Sequence, residues 1–201
     1  MNYGISILSI IPVRLEPNNR SEMTTQLIFG EHFKILESIK KWSKIQISHD
    51  KYVGWISNNQ IQEINFEEYE KLDKEIPTLS TDILDIIESD FNQPIVIGSV
   101  LPTFKSDHAL INNKMYKFTG NTTQGFTQRK HLINNAMVFL NAPYLWGGRT
   151  PFGIDCSGFT QIIYRLQGIK IPRDAYQQIN LGQEINLDNY EEGDLAFFEN
   201  K

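Results

Sequence analysis

The stretch YLWGGRTPFGIDCSGFTQ, Tyr144 to Gln161, decides how this chain is read. It holds an aromatic and glycine-rich loop, then the tetrad Asp155, Cys156, Ser157 and Gly158, then the first residues of an apolar stripe. That stripe, Phe159, Ile162, Ile163 and Leu166, has helical spacing and predicts an amphipathic helix from Cys156 to Leu166, with Gly168 placed to end it. Asp155 then stands where a carboxylate accepts hydrogen bonds from the free amides of a first turn. Cys156 occupies the helix N-terminus, where the partial positive charge of the dipole suits an attacking thiolate. The same amides can receive an oxyanion developing on a scissile carbonyl. On these residues alone, a small buried cysteine at a helix start stays open as a reading of Cys156.

Working outward, Thr127 is placed to cap a helix from Gln128 to about Asn141, with Leu132, Ala136, Phe139 and Leu140 on one face and Pro143 ending it. Downstream, EEGDLAFF (Glu191 to Phe198) predicts a turn leading into a buried strand. Before Thr127 the character is different. From Ile5 to Ile64 short apolar stretches (Ile5 to Leu15, Gly30 to Leu36, Trp42 to Ile47, Tyr52 to Ile56) alternate with turn-rich Glu16 to Ser21 and Ser48 to Lys51, which predicts a small all-β unit. Phe66 to Glu75 predicts a short connecting helix with Phe66, Tyr69 and Leu72 on one edge, closed by Pro77. A second β-rich stretch follows to about Thr123, with an Asn112-Asn113 hairpin turn before KMYKF.

Composition narrows the function classes. The chain has 201 residues, 19 Lys and Arg against 24 Asp and Glu, and a net charge of -5. No basic cluster tracks a phosphate backbone, so nucleic acid is not an expected partner. No stretch approaches the roughly 20 apolar residues that span a bilayer. GISILSII (Gly4 to Ile11) has no preceding Lys or Arg, is interrupted by Ser6 and Ser9, and runs into Pro12 and Arg14, so it is expected to be a strand and not a signal peptide. A cytoplasmic location is the expectation, with the cell envelope as the alternative. The single cysteine allows no internal disulfide.

Taken together, Y-x-W-G-G from Tyr144, D-C-S-G from Asp155, I-P-R-D-A-x-Q-Q from Ile171 and G-D-L from Gly193 resemble the NlpC/p60 cysteine peptidases. PVR (Pro12 to Arg14), FGE (Phe29 to Glu31) and KYVGWI (Lys51 to Ile56) are similar to bacterial SH3-like domains. The resemblance implies an α+β architecture: a papain-like catalytic domain at 125–201, C-terminally incomplete, preceded by a first SH3-like β-barrel at 1–65, a linker helix at 66–76 and a second, divergent SH3-like β-barrel at 77–124. It makes Cys156 the nucleophile and places Tyr144 near the oxyanion. The general base it implies is a histidine on the second strand after the G-D-L turn. His32, His49, His108 and His131 all precede Cys156 and none matches that position, so the base is expected beyond Phe198 and the chain is expected to be a fragment of a longer protein.

Paired SH3-like domains resemble one subgroup, the γ-D-glutamyl-L-diamino acid endopeptidases that act on muropeptides with a free N-terminal L-alanine. The partner implied is a muropeptide or peptidoglycan stem peptide, with no metal and no organic cofactor. Asp174 is the candidate partner for the substrate ammonium, and Tyr52 or Trp55 of the first barrel are candidate pocket walls. Asp155, Ser157 and Trp146 complete the candidate substrate contacts. Asp174 is equally placed to cap a helix, Arg173 to form an ion pair, and Ala175 stands where some relatives carry serine. Two alternatives are a non-catalytic peptidoglycan-binding protein and a papain-like amidase or acyltransferase.

Overall fold

The computed structural model describes residues 2–125 and 128–198. Its first unit is one antiparallel sheet of seven strands: β1 (Asn2–Ile5), β2 (Ile10–Arg14), β3 (Met23–Ile28), β4 (His32–Ile39), β5 (Trp42–Ile47), β6 (Val53–Ser57) and β7 (Gln62–Ile64), in the order β3-β2-β6-β5-β4-β1-β7. Alternation sets which side chains turn inward, and in β5 Ser43, Ile45 and Ile47 are buried while the residues between them are half-exposed. Ile11, Val13, Leu27, Phe33, Ile35, Ile45, Ile47 and Ile56 form the core of this sheet. The apolar stretch expected to run from Ile5 to Leu15 is broken between β1 and β2. There the chain meets the second unit, with Ser9 Oγ donating to the Pro94 carbonyl and Gln93 Nε2 to that of Ile7.

Helix α1 (Phe66–Lys74) connects the units, capped by Asn65, whose side chain accepts from the Glu68 amide at 2.8 Å. Of its expected apolar edge, Tyr69 is buried and Leu72 partly so, while Phe66 is exposed. The second β-rich stretch forms two sheets. One contains β9 (Leu84–Glu88), β10 (Asn92–Val96), β12 (His108–Ile111) and β13 (Lys114–Lys117), and the other β8 (Thr78–Ser80), β11 (Val100–Leu101) and β14 (Thr122–Thr123). Asn112 and Asn113, with φ of 49° and 62°, make the two-residue turn between β12 and β13.

The units are not separate globules, because two of the three apolar clusters cross their boundaries. Ile5, Phe29, Ile64 and Tyr69 share a core with Ile87, Ile95, Leu101, Tyr116 and Phe118. Ile28 joins Leu79, Ile97 and Val100 against Phe139, Ile154, Ile162, Ile163 and Leu166 of the C-terminal part. That part contains α2 (Arg129–Met137), β15 (Arg149–Thr150), β16 (Gly153–Ile154), α3 (Cys156–Leu166) and the single-turn α4 (Ala175–Gln178).

Several expectations need correction here. The expected cap Thr127 lies outside the described residues, and the residue flanking α2 is Gln128, which makes no side-chain capping bond. Helix α2 ends at Met137, followed by turns, and Leu140 is exposed, not part of the buried face. The predicted strand at the end of EEGDLAFF does not form. Residues 195–198 are irregular and Phe198 is 88% exposed, since no neighbouring strand among the described residues offers its backbone a ladder.

Candidate active site

Helix α3 begins at Cys156, as the apolar stripe predicted, and its first turn is held by a buried clamp. The Asp155 carboxylate accepts from the Gly158 amide at 2.7 Å through Oδ1 and from the Gly147 amide at 2.8 Å through Oδ2. Arg173 closes the clamp from the opposite side. Its Nη1 donates to Asp155 Oδ1 at 2.9 Å and to Ser157 Oγ at 2.8 Å, its Nη2 to Asp155 Oδ2 at 2.6 Å, and its Nε to Thr25 Oγ1 of β3 at 2.9 Å. With Arg173 1% and Asp155 7% exposed, this two-pronged pair is desolvated, the setting in which geometry and charge count most. Gln178 of α4 adds a bond from its Nε2 to the Ser157 carbonyl at 3.0 Å.

Two glycines permit this construction. A Cβ on Gly158 would overlap the Gly148 carbonyl oxygen, so the first turn of α3 can lie on the loop backbone only without a side chain there. Gly147 has φ of 76°, and a Cβ on it would strike the Met23 carbonyl of the first unit. Cys156 itself is exposed and unbridged. Among the described residues the amides of Cys156 and Ser157 have no acceptor, so both are available to a developing oxyanion.

The expected site residues separate into groups. Tyr144 and Trp146 are exposed on the loop; the Tyr144 backbone bridges Ile154, two residues before Cys156, and Trp146 Nε1 donates to Glu22 Oε1 at 2.6 Å. Asp155 and Ser157, expected as substrate contacts, are buried with their polar atoms taken inside the fold, so their role is to hold the helix start. Asp174 flanks α4 but its carboxylate makes no capping bond, and no hydrogen-bond donor reaches it among the described residues. Burial raises its pKa, with Arg173 pulling the other way and Asp155 and Asp50 adding to the rise. Tyr52 of the first unit is raised by burial and next by Asp174, which puts the two in mutual electrostatic reach. Trp55 lies half-exposed on β6 opposite Lys44 and Arg14.

The histidines have other neighbours. His32 stands 3.5 Å from Asp73 of α1 and His108 2.5 Å from Asp107, while His131 is on α2. His49 adjoins a cavity that also touches Arg165, nine residues along α3 from Cys156, about 13 Å of helix rise. No group of three or more His, Cys, Asp or Glu among the described residues could hold a metal, and no helix there is long and apolar enough to cross a membrane.

Sequence reasoning missed a second buried cluster. Glu31, in the turn between β3 and β4, accepts from Arg149 Nη1 at 2.9 Å and Nη2 at 3.1 Å, from Arg165 Nη1, and from the Ile28 amide at 2.9 Å. Burial would raise the Glu31 pKa, but the two guanidinium groups outweigh it and hold it far below the usual carboxylate range. Arg149 also donates to the Gln26 carbonyl at 2.7 Å. The loop before Cys156 and α3 are thereby tied to the first β unit. The available signal was charge set among apolar neighbours, in FGEHF and GGRTPF.

Comparison with known proteins agrees with this architecture. Residues 141–201 match the NlpC/P60 family, and residues 13–61 match the bacterial dipeptidyl-peptidase Sh3 domain. A gamma-D-glutamyl-L-lysine dipeptidyl-peptidase of Bacillus cereus is 28% identical, over 90% of this chain and 61% of that protein. One of the same name from Bacillus subtilis is 48% identical, over 33% of this chain and 23% of that protein. The chain therefore spans less than two thirds of these relatives. A crystal structure of an NlpC/P60 family protein from Bacillus cereus superposes with a TM-score of 0.80 at 21% identity, covering 95% of this chain and 81% of that one, which shows a shared fold. The clamp at Cys156 is thus part of an NlpC/P60 domain, and this chain carries that domain together with a bacterial SH3 domain before it.

Proposed function

We propose that Cys156 is the nucleophile of a cysteine peptidase that hydrolyses the bond between γ-D-glutamate and a diamino acid in peptidoglycan stem peptides with a free N-terminal L-alanine. The observation that carries this reading is an exposed thiol on the first residue of α3, seated on the Asp155–Arg173 clamp, with the Asp174 carboxylate, which no donor reaches among the described residues, next to Arg173 in the chain. The relatives' names support the substrate class, since two are gamma-D-glutamyl-L-lysine dipeptidyl-peptidases and others are murein endopeptidases. In this scheme the Cys156 sulfur attacks the amide carbon while the Cys156 and Ser157 amides receive the oxyanion. The C–N bond breaks, the amine leaves with a proton, and water releases the acyl group from sulfur. Proton transfer is assigned, on the family resemblance, to a histidine following residue 198. Asp174 and Tyr52 receive the substrate ammonium, so selection for an unblocked N-terminus falls between the first β unit and the peptidase unit. Residues 77–124 are read as a second SH3-like unit that buttresses the first through their common core.

The test is hydrolysis of L-Ala-γ-D-Glu-L-Lys by a chain continued past Lys201 through a histidine-bearing strand. Cys156→Ala is expected to abolish turnover. Asp174→Asn and acetylation of the substrate amine are each expected to raise KM about tenfold or more, without adding to one another. Retained turnover by Cys156→Ala would sink the mechanism, and a full further rise in KM on acetylation in the Asp174→Asn enzyme would sink the assignment of Asp174.

A further inference from the structure

A cavity of about 510 Å³ lies where the two β units, α1 and the C-terminal end of α3 meet, within the roughly 300–1,000 Å³ range of small-molecule sites. Its walls differ by origin. The side formed by the first unit and the end of α3 is polar, with His32, Ser48, His49, Arg165 and Lys170. The side formed by α1 and the second unit is largely apolar, with Leu72, Ile76, Val100, Leu101, Pro102 and Phe104.

The polar wall is short of acceptors. Arg165 is 4% exposed, and although its Nη1 reaches Glu31, its Nε has no hydrogen-bond partner among the described residues. His49 Nε2 is buried and equally unpartnered. The Lys170 ammonium has no ion-pair partner among the described residues, and neither does that of Lys105 at the apolar side. The acidic lining groups are already engaged: Glu31 by Arg149 and Arg165, Asp73 by Lys51 and His32, Glu75 by Lys71. Burial and the neighbouring Arg149 lower the Arg165 pKa against the pull of Glu31, so its positive charge is incompletely matched. A buried donor without an acceptor is destabilising, and one negatively charged group placed between Arg165, His49 and Lys170 would relieve it.

We infer that this cavity is a second ligand site, separate from the Cys156 site, that takes a small carboxylate with an apolar body. The carboxylate faces Arg165 Nε, His49 Nε2 and Lys170, and the apolar body lies on the α1 and second-unit wall. The arrangement rests on side chains that the peptidase reading does not use, and its test is independent of turnover.

The experiment titrates the 201-residue chain with octanoate, octanol and octylammonium, followed by amide NMR shifts. Octanoate is expected to shift amides of residues 48–49, 100–105 and 165–170, with octanol at least about tenfold weaker and octylammonium weaker still. Lys170→Glu, an exposed change that spares the core, is expected to weaken octanoate about tenfold. Leu72→Trp, filling the apolar side, is expected to abolish these shifts while the far-UV spectrum and urea midpoint show the chain folded. Equal binding of octanol, octanoate affinity untouched by Lys170→Glu, or shifts confined to the exposed apolar residues between 179 and 198 would each overturn the inference.

Discussion

Replacing Arg173 by Met keeps the side chain long and apolar while removing every donor of the clamp. Asp155 would then stay buried with two backbone amides, those of Gly147 and Gly158, in place of those amides and a two-pronged guanidinium. Ser157 Oγ and Thr25 Oγ1 would lose a partner as well. Removing one member of a buried pair costs about 3–5 kcal/mol, a large share of the about 5–15 kcal/mol that holds a domain together. Arg173→Lys preserves the charge but not the planar fork, and is expected to lose about 2 kcal/mol. Urea unfolding followed by circular dichroism gives the total. Hydrogen exchange at the Gly147 and Gly158 amides gives the local part, because both donate to Asp155. Protection at those two amides should fall further than in the sheet of β1 to β7. A loss below about 1 kcal/mol in Arg173→Met, with protection unchanged, would show that the clamp does not hold the start of α3.

His32 supplies a pH dependence. Burial pushes its pKa down from 6.5 to about 4, against the opposing pull of Asp73. The folded state therefore resists protonation that the unfolded chain accepts, so stability is full above pH 6.5 and falls as pH drops toward 4, by about 3 kcal/mol. His49, lowered by burial and by Arg165, acts in the same direction. His32→Gln should flatten the profile between pH 6.5 and 4, and an unchanged slope in urea midpoints would contradict this account. Gly158→Ala sets two effects against each other: in an open helix it gains about 1 kcal/mol, but here the new Cβ meets the Gly148 carbonyl. The clash should win by about 1–3 kcal/mol, and a raised urea midpoint would show that the loop yields.

Elements with strong local signals were legible before the fold was known. Helix α3, β5, the connecting helix and the Asn112-Asn113 turn each follow from periodicity, capping or left-handed backbone preference within a few residues. Strand β3 was not, because Met23–Ile28 carries Thr24, Thr25 and Gln26 before its apolar end, and the burial of Thr25 and Gln26 depends on partners far along the chain. The strand expected after Gly193 failed for a related reason, since a ladder needs a neighbour that local sequence cannot guarantee. Of the candidate site, Cys156 and its cap Asp155 were readable as a helix start, whereas the fate of the Asp155 carboxylate was not.

By itself the sequence determined the helix start: a single cysteine, at the head of an apolar stripe, after an aspartate and among glycines. Those are short-range facts, settled by hydrogen-bonding needs within a few residues. Only the tertiary structure decided that Arg173 from beyond α3, itself held by Thr25 of the first unit, closes on Asp155, and that Glu31 is buried between Arg149 and Arg165. A charge goes into the interior only where its partner is delivered to it. That partner is 118 residues away for Glu31 and Arg149, so pairing follows from how the units pack and not from either segment alone.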